Sequence, residues 1–222
     1  ELRVLAHLSG DDTLVKAFQS NQDVHRLTAS LIYNVPESDV KDNMREVAKR
    51  VNFGIIYGQS AYGLSKDLGI PMHQAQDFID AYFLRYPKVK NYIDAQIQKA
   101  RDEGFVTTLL GRRRYIPEIN SKNMGIRQFA ERQAVNTPIQ GTASDLIKLA
   151  MIKISEQIKD KGLKSKMILQ IHDELVFDLP LSELNILSKL VKERMENVMQ
   201  LNVPIKVDMK KCRNWLQMEA IP

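Results

Sequence analysis

The sequence predicts an α+β fold, an antiparallel sheet backed by helices, on three observations. Apolar residues recur at helical spacing through the first half, punctuated by capping residues. An apolar run at 167–179 is broken only at His172-Asp173-Glu174, which reads as strand, tight turn, strand. Val203, Ile205, Val207 and Met209 alternate as a half-buried strand. Helices grouped with a hairpin-built sheet, without a βαβ rhythm, describe α+β rather than α/β.

The elements follow in order. Asp11 and Asp12 are caps for a short helix to Phe18, and Asp23 caps 24–33. Pro36 breaks the chain before a longer helix at 37–57. After the Gly69-Ile70-Pro71 break another helix runs to Tyr86, and Pro87 opens a further one that Gly104 can end in a left-handed conformation. Residues 105–115 read as a short hairpin turning at Gly111, and 122–136 as helix. At Thr137-Pro138-Ile139-Gln140 a fresh helix is expected, with Thr137 as cap, Pro138 as first helical residue and Gln140 closing a capping box, running to about Lys159. Leu184, Leu187, Val191, Met195 and Val198 keep helical spacing.

The 222 residues, 44% hydrophobic and 27% charged, are enough for a real core and exclude wholesale disorder. A formal charge of +5 leans only weakly toward an anionic partner. One cysteine, Cys212, excludes an internal disulfide framework and fits a reducing compartment. No apolar run approaches the ~20 residues that span a bilayer. The opening Glu1-Leu2-Arg3-Val4-Leu5-Ala6 reads as the middle of an element, so the chain is expected to be a fragment.

Three constellations carry chemistry. Asp173 and Glu174, with His172, interrupt an apolar run, where charge is costly unless exposed at a turn or matched by a cation. A strand turn projecting a carboxylate can hold a divalent ion against a phosphate, although a plain solvated turn is the commoner origin of such a pair. Arg45, Lys49, Phe53 and Tyr57 recur every four residues. Each step turns ~40° and climbs ~6 Å, so they form one winding stripe. Its cationic end suits phosphates and its aromatic end a stacked base. An amphipathic helix with solvated cations and core aromatics has the same pattern, and spacing alone does not choose. Arg132, Asn136 and Gln140 also recur every four residues and are side-chain types that bond to base edges and sugars in a minor groove. A polar solvent face plus the capping role of Gln140 is the competing explanation. Arg112-Arg113-Arg114 beside Tyr115 is a basic cluster able to meet a phosphate backbone or simply water. The four histidines show no metal-ligand spacing, and no Walker-type glycine loop or Ser-His-Asp set is present.

Together these segments resemble the family A DNA polymerases of bacterial type. Arg45-Glu-Val-Ala-Lys49-Arg-Val-Asn52-Phe53-Gly54-Ile-Ile-Tyr57-Gly58 is similar to their motif B, and Gln170-Ile-His172-Asp173-Glu174 to motif C. Glu1-Leu2-Arg3 resembles the tail of motif A, which in the family reads Asp-x-Ser-x-Ile-Glu-Leu-Arg. Thr108 to Pro117, Glu131-Arg132 through Gln140-Gly141, and Arg213-Asn214-Trp215 also resemble family wording. The resemblance covers essentially the whole chain. It implies a remnant of palm motif A at 1–10, a helical fingers subdomain at 11–120, and a palm subdomain at 121–222 carrying the motif C hairpin.

The roles it implies are these. Lys49 and Arg45 bind the triphosphate with His25 beside them, and Lys49 takes part in transfer. Phe53 contacts sugar and base, Tyr57 stacks at the template side, and Glu1 crowds the ribose 2′ position. Asp173 is a metal ligand with Glu174 as its acidic neighbour, and His172 lies near the primer terminus. Arg132, Asn136, Gln140 and Gln170 follow primer-template geometry in the minor groove, and Arg112 meets the backbone. The implied cofactor is magnesium, two ions in the intact parent. The implied partners are primer-template DNA and deoxynucleoside triphosphates, with no membrane, for a monomer in the bacterial cytoplasm at the nucleoid. The motif A aspartate would precede Glu1, so the isolated chain is expected to be inactive. A non-catalytic primer-template-binding module is the alternative; a nuclease built on Asp173 and Glu174 would leave the Arg45–Tyr57 stripe without a task.

Overall fold

The computed structural model describes residues 1–214 and 216–221; Trp215, quoted above from the closing segment, lies outside them. The fold is α+β, with helices predominating over three small antiparallel ladders among the described residues. Two compact units, 1–142 and 143–222, divide the chain.

In the first unit, α1 (Leu2–Ser9) buries Leu2, Val4, Leu5 and Ala6. Asp11 caps α2 (Asp12–Gln19) by accepting from the Leu14 amide, and Asp23 caps α3 (Val24–Tyr33) by accepting from the amides of His25 and Arg26. The helix expected at 37–57 is split into a 3-10 turn, Glu37–Asp39, and α4 (Asp42–Ile56). Val40 and Lys41 between them are extended. Val40 goes into a core with Ala29 and Ala48, and the Arg26 guanidinium donates to its carbonyl at 2.6 Å. Burial and this bond outweigh continuing the helix.

A helix that spacing did not reveal, α5 (Ala61–Leu68), is capped by Ser60 and ended by Gly69. Next come α6 (Met72–Arg85) and α7 (Pro87–Glu103), the latter ended by Gly104 at φ 76°. Strands β1 (Phe105–Thr107) and β2 (Arg113–Tyr115) form the expected hairpin, with Phe105 opposite Tyr115. Ala100, Val106, Ile116, Ile119, Ala130 and Ala134 make the core beneath it.

The fresh helix start at Thr137-Pro138 does not occur. A single helix, α8 (Met124–Asp160), runs through with Pro138 inside it. Proline removes one backbone bond at about 3 kcal/mol, but Ala134, Val135 and Ile139 around it are all buried, and their packing keeps the helix continuous. Thr137 accepts from the Arg114 guanidinium instead of capping, and Gln140 is an exposed mid-helix residue.

In the second unit, β3 (Lys166–Ile171) and β4 (Glu174–Asp178) pair antiparallel, with a register irregularity between Met167 and Leu169. The later part of α8 packs with α9 (Leu184–Glu196) through Ala150, Ile154, Ile158, Leu187, Leu190 and Val191. The strand expected at 203–209 is corrected. That stretch alternates in burial from Val203 to Met209, yet has no ladder partner among the described residues. Pro204 has no N–H to give, and the Val207 amide donates to the Glu196 carboxylate at 3.2 Å. The last ladder pairs β5 (Lys210–Lys211) with β6 (Glu219–Ala220).

Candidate nucleotide and nucleic-acid site

Helix α4 sets the stripe. Its buried face, Ala48, Val51, Asn52, Ile55 and Ile56, packs inward and leaves Arg45, Lys49, Phe53 and Tyr57 on a less buried side. The Arg45 Nε donates to Asp23 Oδ2 at 2.7 Å. Lys49 is exposed and has no ion-pair partner among the described residues. Phe53 and Tyr57 lie near-parallel, 6.1 Å between ring centroids and 23° between planes, and His25 approaches Phe53 at 6.0 Å.

Two cationic side chains thus differ in state. Burial would raise the Asp23 carboxyl, but the Arg45 hydrogen bond and the amides of Arg26 and His25 overcome it and hold its pKa below the usual range. Arg45 is held firmly charged by the same contact. Lys49 remains a solvated point charge able to accept an anion without first breaking a bond. Burial pushes the His25 imidazole down, Asp23 opposes, and Arg45 and Lys49 push the same way as burial.

At the aromatic end the Tyr57 hydroxyl donates to the Glu1 carboxylate and also bonds the Gln140 side chain. Burial first, then the Glu1 contact, pushes its pKa up to about 12, so it stays a neutral donor at any working pH. Gly58 follows at φ 70°, and a Cβ there would sit 2.8 Å from Cγ of Arg132. The guanidinium of Arg132 lies 5.7 Å over the Phe129 ring. The Asn136 side-chain oxygen is buried without a hydrogen-bond partner among the described residues. Such an oxygen costs about 1–3 kcal/mol unless something donates to it. The first unit therefore brings together Glu1, His25, Arg45, Phe53 and Tyr57, with Gln140 bonded to Tyr57 and Arg132 against Gly58. Arg112 is exposed and donates to the Gly141 carbonyl at 3.2 Å; Arg113 covers the Phe105 ring at 4.6 Å. These two arginines tie the hairpin down as well as facing water.

The second unit carries the other residues at the β3–β4 turn. His172 adopts φ 52°, and the Gln170 amide donates to its carbonyl at 2.8 Å. Gln170, His172, Asp173 and Glu174 are all exposed. Neither carboxylate has an ion-pair partner among the described residues, and no group of three metal-ligating side chains occurs there. Hard carboxylate oxygens at a tight turn fit a divalent cation as ligands from one segment, but they do not enclose it.

Sequence reasoning missed Asn52 and Thr28, both fully buried beneath this surface, and assigned Asp23 only a capping role. An asparagine is a poor helix former, so its position within the Arg45–Tyr57 stretch was the available signal.

The DNA polymerase family A model matches residues 1–217. DNA polymerase I of Caldicellulosiruptor bescii is 50% identical over 217 residues, 98% of this chain and 26% of its own. That of Bacillus subtilis is 51% identical over 215 residues, 97% of this chain and 24% of its own. Among solved structures, the POL domain of Pol1 from M. smegmatis in complex with DNA primer-template and dNTP matches with a TM-score of 0.89 at 43% identity, covering 92% of this chain and 36% of that one. The chain spans about a quarter of the length of the curated relatives it matches.

Proposed function

This chain belongs to DNA polymerase family A, and from that premise we propose that it supplies the nucleotide-binding helix and one acidic turn of a template-directed DNA polymerase. In the reaction a primer 3′-hydroxyl attacks the α-phosphorus of a deoxynucleoside triphosphate, forming a phosphodiester bond and releasing pyrophosphate. The observation that carries the reading is the stripe on α4: a paired arginine, an exposed lysine with no ion-pair partner among the described residues, and two near-parallel rings in succession. Arg45 and Lys49, with His25, bind the triphosphate; the point charge of Lys49 meets charge that grows on the phosphates during transfer. Phe53 contacts the sugar and base. Tyr57 stacks at the template side of the nascent pair, and Glu1 crowds the 2′ position.

Asp173, with Glu174 beside it, is the ligand this chain offers to magnesium, and His172 approaches the primer end. When bound, magnesium would supply Lewis-acid activation of the primer hydroxyl and neutralise charge at the leaving pyrophosphate, with Asp173 as one of its ligands and two ions in the intact parent. Arg132, Asn136, Gln140 and Gln170 follow the minor groove without demanding a sequence, and Arg112 meets the phosphate backbone. The protein acts as a monomer in the bacterial cytoplasm, on DNA at the nucleoid; no helix among the described residues is long and apolar enough to cross a membrane. Because Asp173 and Glu174 share one turn and do not enclose an ion, the 222-residue chain alone is inactive in primer extension.

Primer extension by the full-length protein containing this chain, with magnesium and all four dNTPs, tests the reading. Lys49→Ala is expected to lower kcat/KM about a hundredfold while primer-template binding is retained. Unchanged kinetics would remove Lys49 from the phosphates.

A further inference from the structure

The aromatic end of the stripe depends on how α4 stops, and a side chain that the proposed function does not use lies at that stop. Tyr57 closes the helix. Gly58 behind it is left-handed at φ 70° and donates to the Ile55 carbonyl at 3.0 Å, and the Gln59 amide reaches back to the Gly54 carbonyl at 2.8 Å. This pair of bonds is the termination in which the second residue past the helix end packs its side chain on the last turn. Here that side chain is Gln59, half-buried, and it meets glycine on two sides. A methyl on Gly54 of α4 would run into its Oε1, and one on Gly63 of α5 would lie 2.9 Å from its Cγ. Glycine is less favourable than alanine inside a helix, and both positions are inside helices. The bare backbone at 54 and 63 leaves a slot that admits one side chain.

The Gln59 carboxamide has no hydrogen-bond partner among the described residues, so fit rather than a polar contact holds it. Phe53 precedes Gly54 and Tyr57 precedes Gly58, so the slot lies against the backbone that carries both near-parallel rings. We propose that Gln59 is a positioning residue for base-pair selection: lodged between Gly54 and Gly63, it fixes the last turn of α4 and with it the direction in which Tyr57 meets the nascent pair. A second tie between the same helices, the Arg50–Asp67 ion pair at 2.7 Å, is exposed and lies away from the rings. This inference rests on the placement of Tyr57 at the nascent pair.

The test uses the full-length protein containing this chain, labelled with meta-fluorotyrosine, with the Tyr57 fluorine NMR signal identified by its loss in Tyr57→Phe. Gln59→Ala empties the slot and Gly54→Ala evicts the side chain from it, so each should shift that signal, and the double variant should go no further than either alone. Gln59→Met, unbranched and of equal length, should keep the wild-type signal, as should Arg50→Met, which cuts the second tie. A signal unmoved in Gln59→Ala, or moved as far in Arg50→Met, overturns the proposal. Single-nucleotide incorporation gives a second readout. Discrimination against mispaired dNTPs should fall about tenfold in Gln59→Ala and in Gly54→Ala, the scale of a small misplacement of a reacting partner, and should hold in Gln59→Met and Arg50→Met. Unchanged discrimination in Gln59→Ala would overturn the selection role. If the fluorine signals behave as expected but Tyr57→Ala discriminates as well as wild type, the slot still orients the ring, while the placement of Tyr57 at the nascent pair fails and the selection role with it.

Discussion

The face of α4 and the β3–β4 turn solve opposite problems. Along α4 most polar groups already have protein partners: Arg45 on Asp23, His25 on Asn52, Tyr57 on Glu1. A ligand arriving there joins or displaces existing bonds, and the side chains are oriented beforehand. At the turn, Asp173 and Glu174 stand exposed, with no cation paired to them among the described residues. No protein group orients them, so a cation bound there, as proposed, would need its position set by further ligands. Orientation is thus prepared by protein contacts along α4, while the carboxylates of the turn have no such contacts among the described residues.

The sharpest way to break this contrast is Asp173→Asn in the full-length protein. Primer extension should fall on the order of a thousandfold, about 4 kcal/mol in the barrier, with dNTP affinity nearly unchanged. Comparable losses in both would show that the turn also binds nucleotide. A smaller effect is expected at the paired arginine. Asp23→Asn keeps a cap for α3 but removes the negative charge that faces Arg45, and should change stability by less than about 1 kcal/mol, read from urea unfolding. A larger loss would show the ion pair to be structural.

Acid separates the two regions further. The His25 pKa is lowered chiefly by burial, so below its ordinary value of about 6.5 the unfolded chain takes up protons before the folded one does. Stability present above that pH is lost as the pH falls through the folded value, and Asp23 adds a second loss at more acidic pH. The melting temperature should therefore drop between about pH 7.5 and about pH 5.5, and His25→Gln should shrink the drop. The smallest effect is at the turn, where His172→Gly should leave stability within about 0.5 kcal/mol by chemical denaturation, since glycine adopts φ 52° freely. A marked loss would show that the imidazole packs rather than points outward.

Much of this was legible in the residues, for physical reasons. Asp23 before 24–33 and Gly104 after 87–103 are end signals whose effect is local, and both helices appear as expected. The His172-Asp173-Glu174 interruption marked its turn at His172-Asp173 because such groups favour an exposed bend, although Glu174 already opens β4, paired with Ile171. Pro138 misled because its cost is local while its compensation, burial of Ala134, Val135 and Ile139, comes from tertiary packing. Alternation at 203–209 reported burial correctly but could not report whether a neighbouring strand was present to pair. At the site, the spacing of Arg45, Lys49, Phe53 and Tyr57 was visible, whereas Asp23 and Asn52 acquire their roles only when α3 lies beside α4.

Gly58 shows how tightly such a surface can be drawn. Its left-handed backbone and the 2.8 Å approach of Arg132 mean that even one added methyl has nowhere to go. Residue 58 therefore works as a spacer of minimum thickness between the tyrosine stack and an arginine on α8. A thicker residue there would displace Tyr57 and Arg132 together, so if the two meet base and groove as proposed, one screen for altered base selectivity should also recover changed grip on the duplex.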